Sequence, residues 1–174
     1  MSFAFRRAEP KFPPGQLGFT ISSTLVVRED KRVRLYSRNG YDWSDRYPWI
    51  VEAALKNRQQ HFAIDGEAVL LGVDGISDFN GLHSRKQDDE VQLYAFDVLA
   101  LEGEDLRKLP LHLRKNNLAR LLARRPEGIF VSEFEQGEIG PDLFRVACNF
   151  GLEGVVSKRR DRPITPAARL IGSR

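Results

Sequence analysis

The stretch His61-Phe62-Ala63-Ile64-Asp65-Gly66-Glu67-Ala68-Val69-Leu70-Leu71 decides how the rest of this chain is read. It is short, apolar and β-branched at intervals, and the turn residues Gly72, Asp74 and Gly75 follow it, which is the pattern of a strand. Two carboxylates sit in its middle. A charged group in a mostly apolar strand is costly unless it is paired or bound to a cation. Asp65 and Glu67 are two residues apart, so a strand points both to one face. Gly66 between them either leaves the opposite face bare or lets another backbone or a ligand come close. Taken alone, the stretch fits an edge strand with a solvated acidic face as well as it fits a site.

The chain around it has 174 residues, enough for one domain with a core. No apolar run reaches the roughly 18 residues of a membrane span. The N-terminus, Met1-Ser-Phe-Ala-Phe-Arg-Arg7, lacks the apolar segment of a signal peptide. A single cysteine, Cys148, excludes an internal disulfide and a cysteine metal cluster, and fits a cytoplasmic protein. The net charge of +3 permits nucleic-acid binding without demanding it. His61, His83 and His112 show no metal-ligand spacing.

Outward from the central strand, the periodicities predict a mixed α+β domain with antiparallel pairing. Residues 1–23 read as an irregular segment, since Pro10, Pro13, Pro14, Gly15 and Gly18 punctuate it. Thr24–Arg28 and Val33–Ser37 alternate around the polar turn Glu29–Arg32 and read as a hairpin, broken at Arg38-Asn39-Gly40. Ser44 or Asp45 caps a helix from Tyr47 to Arg58 with Ile50, Ala53 and Ala54 on its apolar face. A short helix opens at Asp78, Gln87–Glu90 is a polar loop, and Val91–Leu99 is a second apolar strand that carries Asp97. Pro110 starts a helix over Leu111–Arg125. A strand at Ile129–Val131, a helix at Pro141–Phe150 and a last strand at Gly154–Lys158 complete the pattern, and 161–174 is a loose basic tail.

Four polar insertions then line up: Arg38, the Asp65/Glu67 pair, Tyr94-Ala-Phe96-Asp97, and Glu153 with Lys158. Carboxylates hold a divalent metal against phosphates. Arginine and lysine grip phosphate oxygens, and an aromatic ring stacks on a base. Each residue also has an ordinary reading. Phe96 fits a core, Glu153 a cap, Lys158 a solvated charge run, and Arg38 a turn.

In combination the segments resemble the adenylation domain of ATP-dependent DNA ligases, most closely the bacterial ligase-D type used in end joining. Arg34-Leu-Tyr-Ser-Arg-Asn-Gly-Tyr-Asp-Trp43 looks like the family's arginine motif, and Ile64-Asp-Gly-Glu67 like its ribose-and-metal motif. Tyr94-Ala-Phe-Asp97 looks like the adenine-stacking motif, and Leu152-Glu-Gly-Val-Val-Ser-Lys158 like the metal-and-phosphate motif. The resemblance implies the nucleotidyltransferase fold of DNA ligases and mRNA capping enzymes, antiparallel sheets flanked by helices, over residues 24–160. It implies ATP and Mg²⁺ as cofactors and a nicked or broken DNA duplex as partner. Glu67 would touch ribose or metal, Phe96 would stack on adenine, Glu153 would hold the metal, Lys158 would reach the phosphate, and Arg38 would sit against the ribose or the nicked strand.

Two family features have no counterpart in these residues. The family's Lys-x-Asp-Gly motif supplies the amine that attacks the α-phosphate and carries AMP as a phosphoramidate. No Lys-x-Asp-Gly occurs here, and its expected place before the hairpin reads Gly18-Phe-Thr-Ile-Ser-Ser-Thr-Leu25. The C-terminal Trp-Leu-Lys-x-Lys motif is also missing, and no length remains for an oligonucleotide-binding (OB-fold) domain. The readings that follow are a ligase homologue unable to adenylate itself, with no catalytic residue assigned, a non-catalytic ATP- or DNA-binding module, and a gene remnant. An unrelated hydrolase using Asp65 and Glu67 as acid and base would make the other motifs coincidence.

Overall fold

The computed structural model describes residues 2–6, 23–73, 75, 77–124, 127–132, 135–136, 154–158 and 160–164, with backbone alone at 2–6, 79, 135–136 and 154–158. The first of these corrects the expectation of an irregular N-terminus. Residues Ser2–Arg6 form a strand, β1. Its backbone groups are satisfied by antiparallel pairing with residues more than 130 positions away, so the prolines that follow do not bear on it. The remainder of that segment, 7–22, lies outside the described residues, as does the expected helix at 141–150.

The expected hairpin is present as β2 (Ser23–Glu29) and β3 (Arg32–Ser37), in register from Thr24↔Ser37 to Glu29↔Arg32. The strand with the two carboxylates is β4 (His61–Val69), and it is not an edge. It pairs antiparallel with β2 on one side and with β5 (Gln92–Leu101) on the other. With β6 (Glu104–Asp105) the sheet order is β3-β2-β4-β5-β6. The short strand β7 (Ile129–Val131) joins β5 in parallel, the one exception among the described residues to the expected antiparallel pairing. A second sheet of order β8-β1-β9 is formed by β8 (Glu135–Gln136), β1 and β9 (Gly154–Lys158).

Helix α1 (Pro48–Lys56) buries Ile50, Ala53 and Ala54 as its spacing predicts. Its cap differs from expectation. Tyr47 holds the N-cap position without a side-chain hydrogen bond, and Pro48 fills the first turn, where a missing amide costs nothing. The Ser44 hydroxyl instead accepts from the Leu35 amide (3.0 Å), tying the helix approach to β3. At the other end Arg28, a buried residue of β2, donates to the carbonyls of Ala54 (2.8 Å) and Asn57 (2.7 Å). A cation there satisfies carbonyls that a helix C-terminus leaves unpaired.

Asp78 caps the short helix α2 (Phe79–Ser84) by accepting from the Gly81 amide (2.9 Å). Residues Asp88–Glu90, expected as loop, form a 3-10 turn. Helix α3 (Leu111–Leu121) ends four residues before the expected Arg125, and Pro110 is its N-cap rather than a first-turn residue. No helix among the described residues is long and apolar enough to cross a membrane.

The core lies on one face of the large sheet. Phe62, Ile64 and Ala68 of β4 join Val26, Leu35 and Leu93 from neighbouring strands, Ile50 and Ala53 from α1, and Leu118 and Leu121 from α3. Gly66 shares this buried face. A Cβ there would lie 2.9 Å from Leu93 Cγ, 2.9 Å from the Tyr94 carbonyl oxygen and 3.0 Å from Ala95 Cα. Of the two readings of Gly66, the close approach of another strand's backbone is the one realised. Gly66→Ala is therefore expected to destabilise the fold by about 1–3 kcal/mol, the usual cost of overpacking. The measurement is a lowered urea midpoint with an unchanged m-value.

Candidate nucleotide site

Burial along β4 alternates strictly, with Phe62, Ile64, Gly66 and Ala68 buried and Ala63, Asp65, Glu67 and Val69 half-buried. Asp65 and Glu67 thus share one face, the one turned from the core. On the β2 side Leu25 stands opposite Asp65 and Ser23 opposite Glu67, and the Ser23 hydroxyl donates to Asp65 Oδ1. On the β5 side Tyr94 stands opposite Glu67.

One step further the ladder changes register. Gly66 pairs with Ala95, but Asp65 pairs with Asp97, so Phe96 is an extra residue in β5 and the strand bulges there. Bulges re-aim side chains and locally bend the strand. Phe96 is half-buried, while Asp97 and Val98 after it are both buried, which breaks the alternation of β5. Tyr94 packs against Phe130 of β7, with ring centroids 5.6 Å apart and planes tilted by 30°. Asp65, Glu67, Tyr94 and Phe96 therefore crowd one stretch of the two central strands.

Asp97 is held from the opposite side. Arg114 of α3 donates to its carboxylate through Nε (2.8 Å) and Nη2 (3.0 Å), and both side chains are almost wholly buried. Asp97 Oδ1 also accepts from the Val98 amide (2.9 Å). Removing one partner of such a pair typically costs about 3–5 kcal/mol, because it strands a buried charge.

Arg38 follows β3 and is exposed. The register Ser37↔Thr24↔Gly66 puts it at the same end of the sheet as Glu67, about 10 Å away across two strand spacings. Lys158 ends β9, where only the backbone is described, and Glu153 lies outside the described residues. Of the five expected site residues, the described structure brings Glu67 and Phe96 together and sets Arg38 at the same end. Among the described residues no group of three His, Cys, Asp or Glu side chains is arranged for a metal ion. The expected metal pair, Glu67 with Glu153, has one member in the described set.

Two contributors were not read from the sequence. Ser23, which holds Asp65, gave no signal. Arg114 did give one: it falls on the apolar stripe of its helix with Leu111, Leu118 and Leu121, where a cation requires an acidic partner.

Beside the Arg38 turn a cavity of about 860 Å³ is lined by Asn39, Asp42, Trp43, Arg46, His83 and Arg85, among others. The Arg46 guanidinium lies over the Trp43 ring (5.3 Å) and the Tyr47 ring (4.9 Å). It also binds Asp88 (3.0 Å) and the Leu82 carbonyl (2.8 Å). Hydrogen bonds from the Ser44 hydroxyl and amide, followed by the Arg34 guanidinium, hold the Asp42 carboxyl below its ordinary value. Burial pushes the Tyr47 phenol up to about 12, against the pull of Arg46.

Comparison with known proteins was consistent along nearly the whole chain. The family model described as "ATP dependent DNA ligase domain" matches residues 24–172. The multifunctional non-homologous end joining protein LigD of Pseudomonas aeruginosa is 37% identical over 145 residues, 82% of this chain and 17% of the relative. The solved ligase domain of Mycobacterium tuberculosis LigD superimposes with a TM-score of 0.69 at 30% identity, covering 95% of this chain and 51% of that one. A mycobacterial DNA ligase D complexed with ATP and MES gives a TM-score of 0.68 at 30% identity with the same coverage. The chain thus spans about half of the solved ligase domains and under a fifth of the full LigD relative.

Tyr47 generates a spectroscopic prediction. Its phenol, near 10 when unfolded and raised to about 12 in the fold, contributes stability that is complete below pH 10 and is lost as pH climbs to 12. Ultraviolet titration of the folded protein is expected to show a phenolate step near pH 12 that Tyr47→Phe removes. A titration unchanged by that substitution contradicts the assignment.

Proposed function

Because this chain belongs to the ATP-dependent DNA ligase family, with LigD among its relatives, we propose that residues 24–160 are an adenylation-type unit that binds ATP without adenylating itself. The observation that carries the reading is the crowding of half-buried Phe96 with half-buried Asp65 and Glu67 on the face of β4 and β5 turned from the core. That patch suits a nucleoside: a half-buried ring for adenine beside acceptors for ribose hydroxyls. In this reading adenine stacks on Phe96, Glu67 meets the ribose or a Mg²⁺ shared with Glu153, Lys158 meets the phosphates, and Arg38 meets the ribose or DNA at the rim. When bound, the metal ion would supply charge neutralisation at the phosphates. The DNA partner is a nicked or broken duplex, met in the cytoplasm.

Chemistry is where the reading departs from the family. Transfer of AMP to the protein requires a neutral amine about 3–3.5 Å from the α-phosphorus. The residues before β2 contain no Lys-x-Asp-Gly. Lys31 is exposed in the tight turn between β2 and β3. That turn is at the His61 end of β4, six residues or about 20 Å from Glu67. Lys158 is needed for phosphate in this reading, and Lys11 lies outside the described residues.

Incubation with labelled ATP is accordingly expected to leave the purified chain unmodified. An acid-labile AMP adduct mapped by mass spectrometry to any lysine would overturn this half of the proposal. Binding is tested separately by calorimetry. ATP with Mg²⁺ is expected to bind weakly, and Phe96→Ala to remove about 1–3 kcal/mol, the worth of one stacked base. No heat at millimolar ATP would reject the nucleotide site.

A further inference from the structure

Arg114 does more than neutralise Asp97. Its third guanidinium nitrogen, Nη1, donates to the Leu109 carbonyl (2.5 Å) and reaches the Arg162 carbonyl (3.5 Å). Arg162 belongs to the segment that follows β9. Two backbone bonds pin the same segment to the start of α3 and the loop before it: the His112 amide donates to the Arg160 carbonyl (3.3 Å), and the Ile164 amide to the Arg107 carbonyl (2.9 Å). One planar cation therefore touches two parts of the chain that are remote in sequence. On one side it grips the carboxylate at the β5 bulge, next to Phe96. On the other it meets the chain four residues beyond Lys158, the last residue of β9.

The chemistry of the residue suits this use. A guanidinium offers five donors in a rigid fork, so its bond to one group sets the direction in which it meets the next. Lysine offers no such fork. The bulge supplies the reason a fixed direction matters: Asp97 directly follows the inserted residue Phe96, so the direction in which the guanidinium leaves Asp97 sets where the segment beyond β9 sits relative to the bulge.

We propose that Arg114 is a positioning residue that couples the aromatic platform at Phe96 to the strand carrying Lys158, and so sets the spacing between the base-binding and phosphate-binding ends of the site. The coupling stands on the described contacts; its consequence for ligand rests on the nucleotide reading above.

The test separates the two. Arg114→Lys keeps the charge and loses the fork. Hydrogen exchange is expected to accelerate about tenfold or more at both the Val98 amide, which donates to Asp97, and the Ile164 amide, which lies 66 residues further along the chain and two residues from the Arg162 carbonyl that the guanidinium reaches. Acceleration at Val98 with Ile164 unchanged would overturn the coupling. The full chain is then titrated with ATP and with adenosine. Arg114→Lys is expected to weaken ATP about tenfold, the scale of one lost charge-assisted bond, while adenosine changes less than about twofold. In a Lys158→Ala background the same substitution is expected to have no further effect on ATP, since there is no phosphate contact left to misplace. Equal loss of both ligands, or losses that simply add, would overturn the positioning role and leave Arg114 a stabilising residue only. A wild-type chain that binds neither ligand rejects the nucleotide reading, and the exchange data still decide the coupling. If Arg114→Lys does not fold, the paired replacement Asp97→Leu with Arg114→Met removes both charges together, a change that buried ion pairs tolerate. Its Ile164 amide is expected to exchange faster as well, and an unaltered rate there would overturn the coupling.

Discussion

The close approach of β5 to β4 at Gly66 is the constraint on which this sheet depends. Paired on both edges, β4 has only its two faces with which to meet the rest of the protein. One face is occupied by the core, and at Gly66 the Leu93 side chain and the Tyr94 carbonyl close to distances that exclude even a methyl group. Asp65 and Glu67 are consequently committed to the opposite face. They cannot rotate into the core, and a one-residue slip would bury both carboxylates. The acidic patch is thus a by-product of how tightly the other side of the same strand is packed.

A second commitment is made in β5. An ordinary ladder would place Phe96 opposite Asp65 and keep the alternation to the end of the strand. The bulge shifts the register, and Asp97 is drawn into a nearly solvent-free environment under α3. A buried ion pair is weak evidence for stability, because desolvation cancels much of the attraction. Its better-attested use is specificity: the pair is satisfied in one arrangement of bulge and helix. This gives an otherwise apolar contact between α3 and β5 a unique registration.

The region around α1 solves a similar problem by different means. Its C-terminal carbonyls are closed by Arg28 from β2, and Asn57 just beyond it donates to the Leu121 carbonyl at the end of α3 (2.9 Å). At the entry to the helix, Arg46 stacks on Trp43 and Tyr47 while binding Asp88. A cation from β2 thus closes one end of the helix, and a cation in the approach to the other end ties that approach to Asp88. Kinship with the LigD ligases describes this framework well.

Much of this was legible in the sequence. The hairpin, α1, β4, β5, α3 and β9 follow from short-range periodicity and punctuation, and β4's shared acidic face follows from the period of two alone. Four ordered motifs carried the family. What local pattern did not reveal was partnership. β1 was hidden because a strand of five residues is stabilised by distant neighbours rather than by its own propensity. The cap of α1 was misread because Ser44, a good local cap, is engaged by β3. The Phe96 bulge and the reach of Arg114 from Asp97 to Arg162 depend on how strands and helix meet in three dimensions. The chain's chemistry at each position was written in one dimension; which groups meet depended on long-range pairing, which leaves no periodic trace in the sequence.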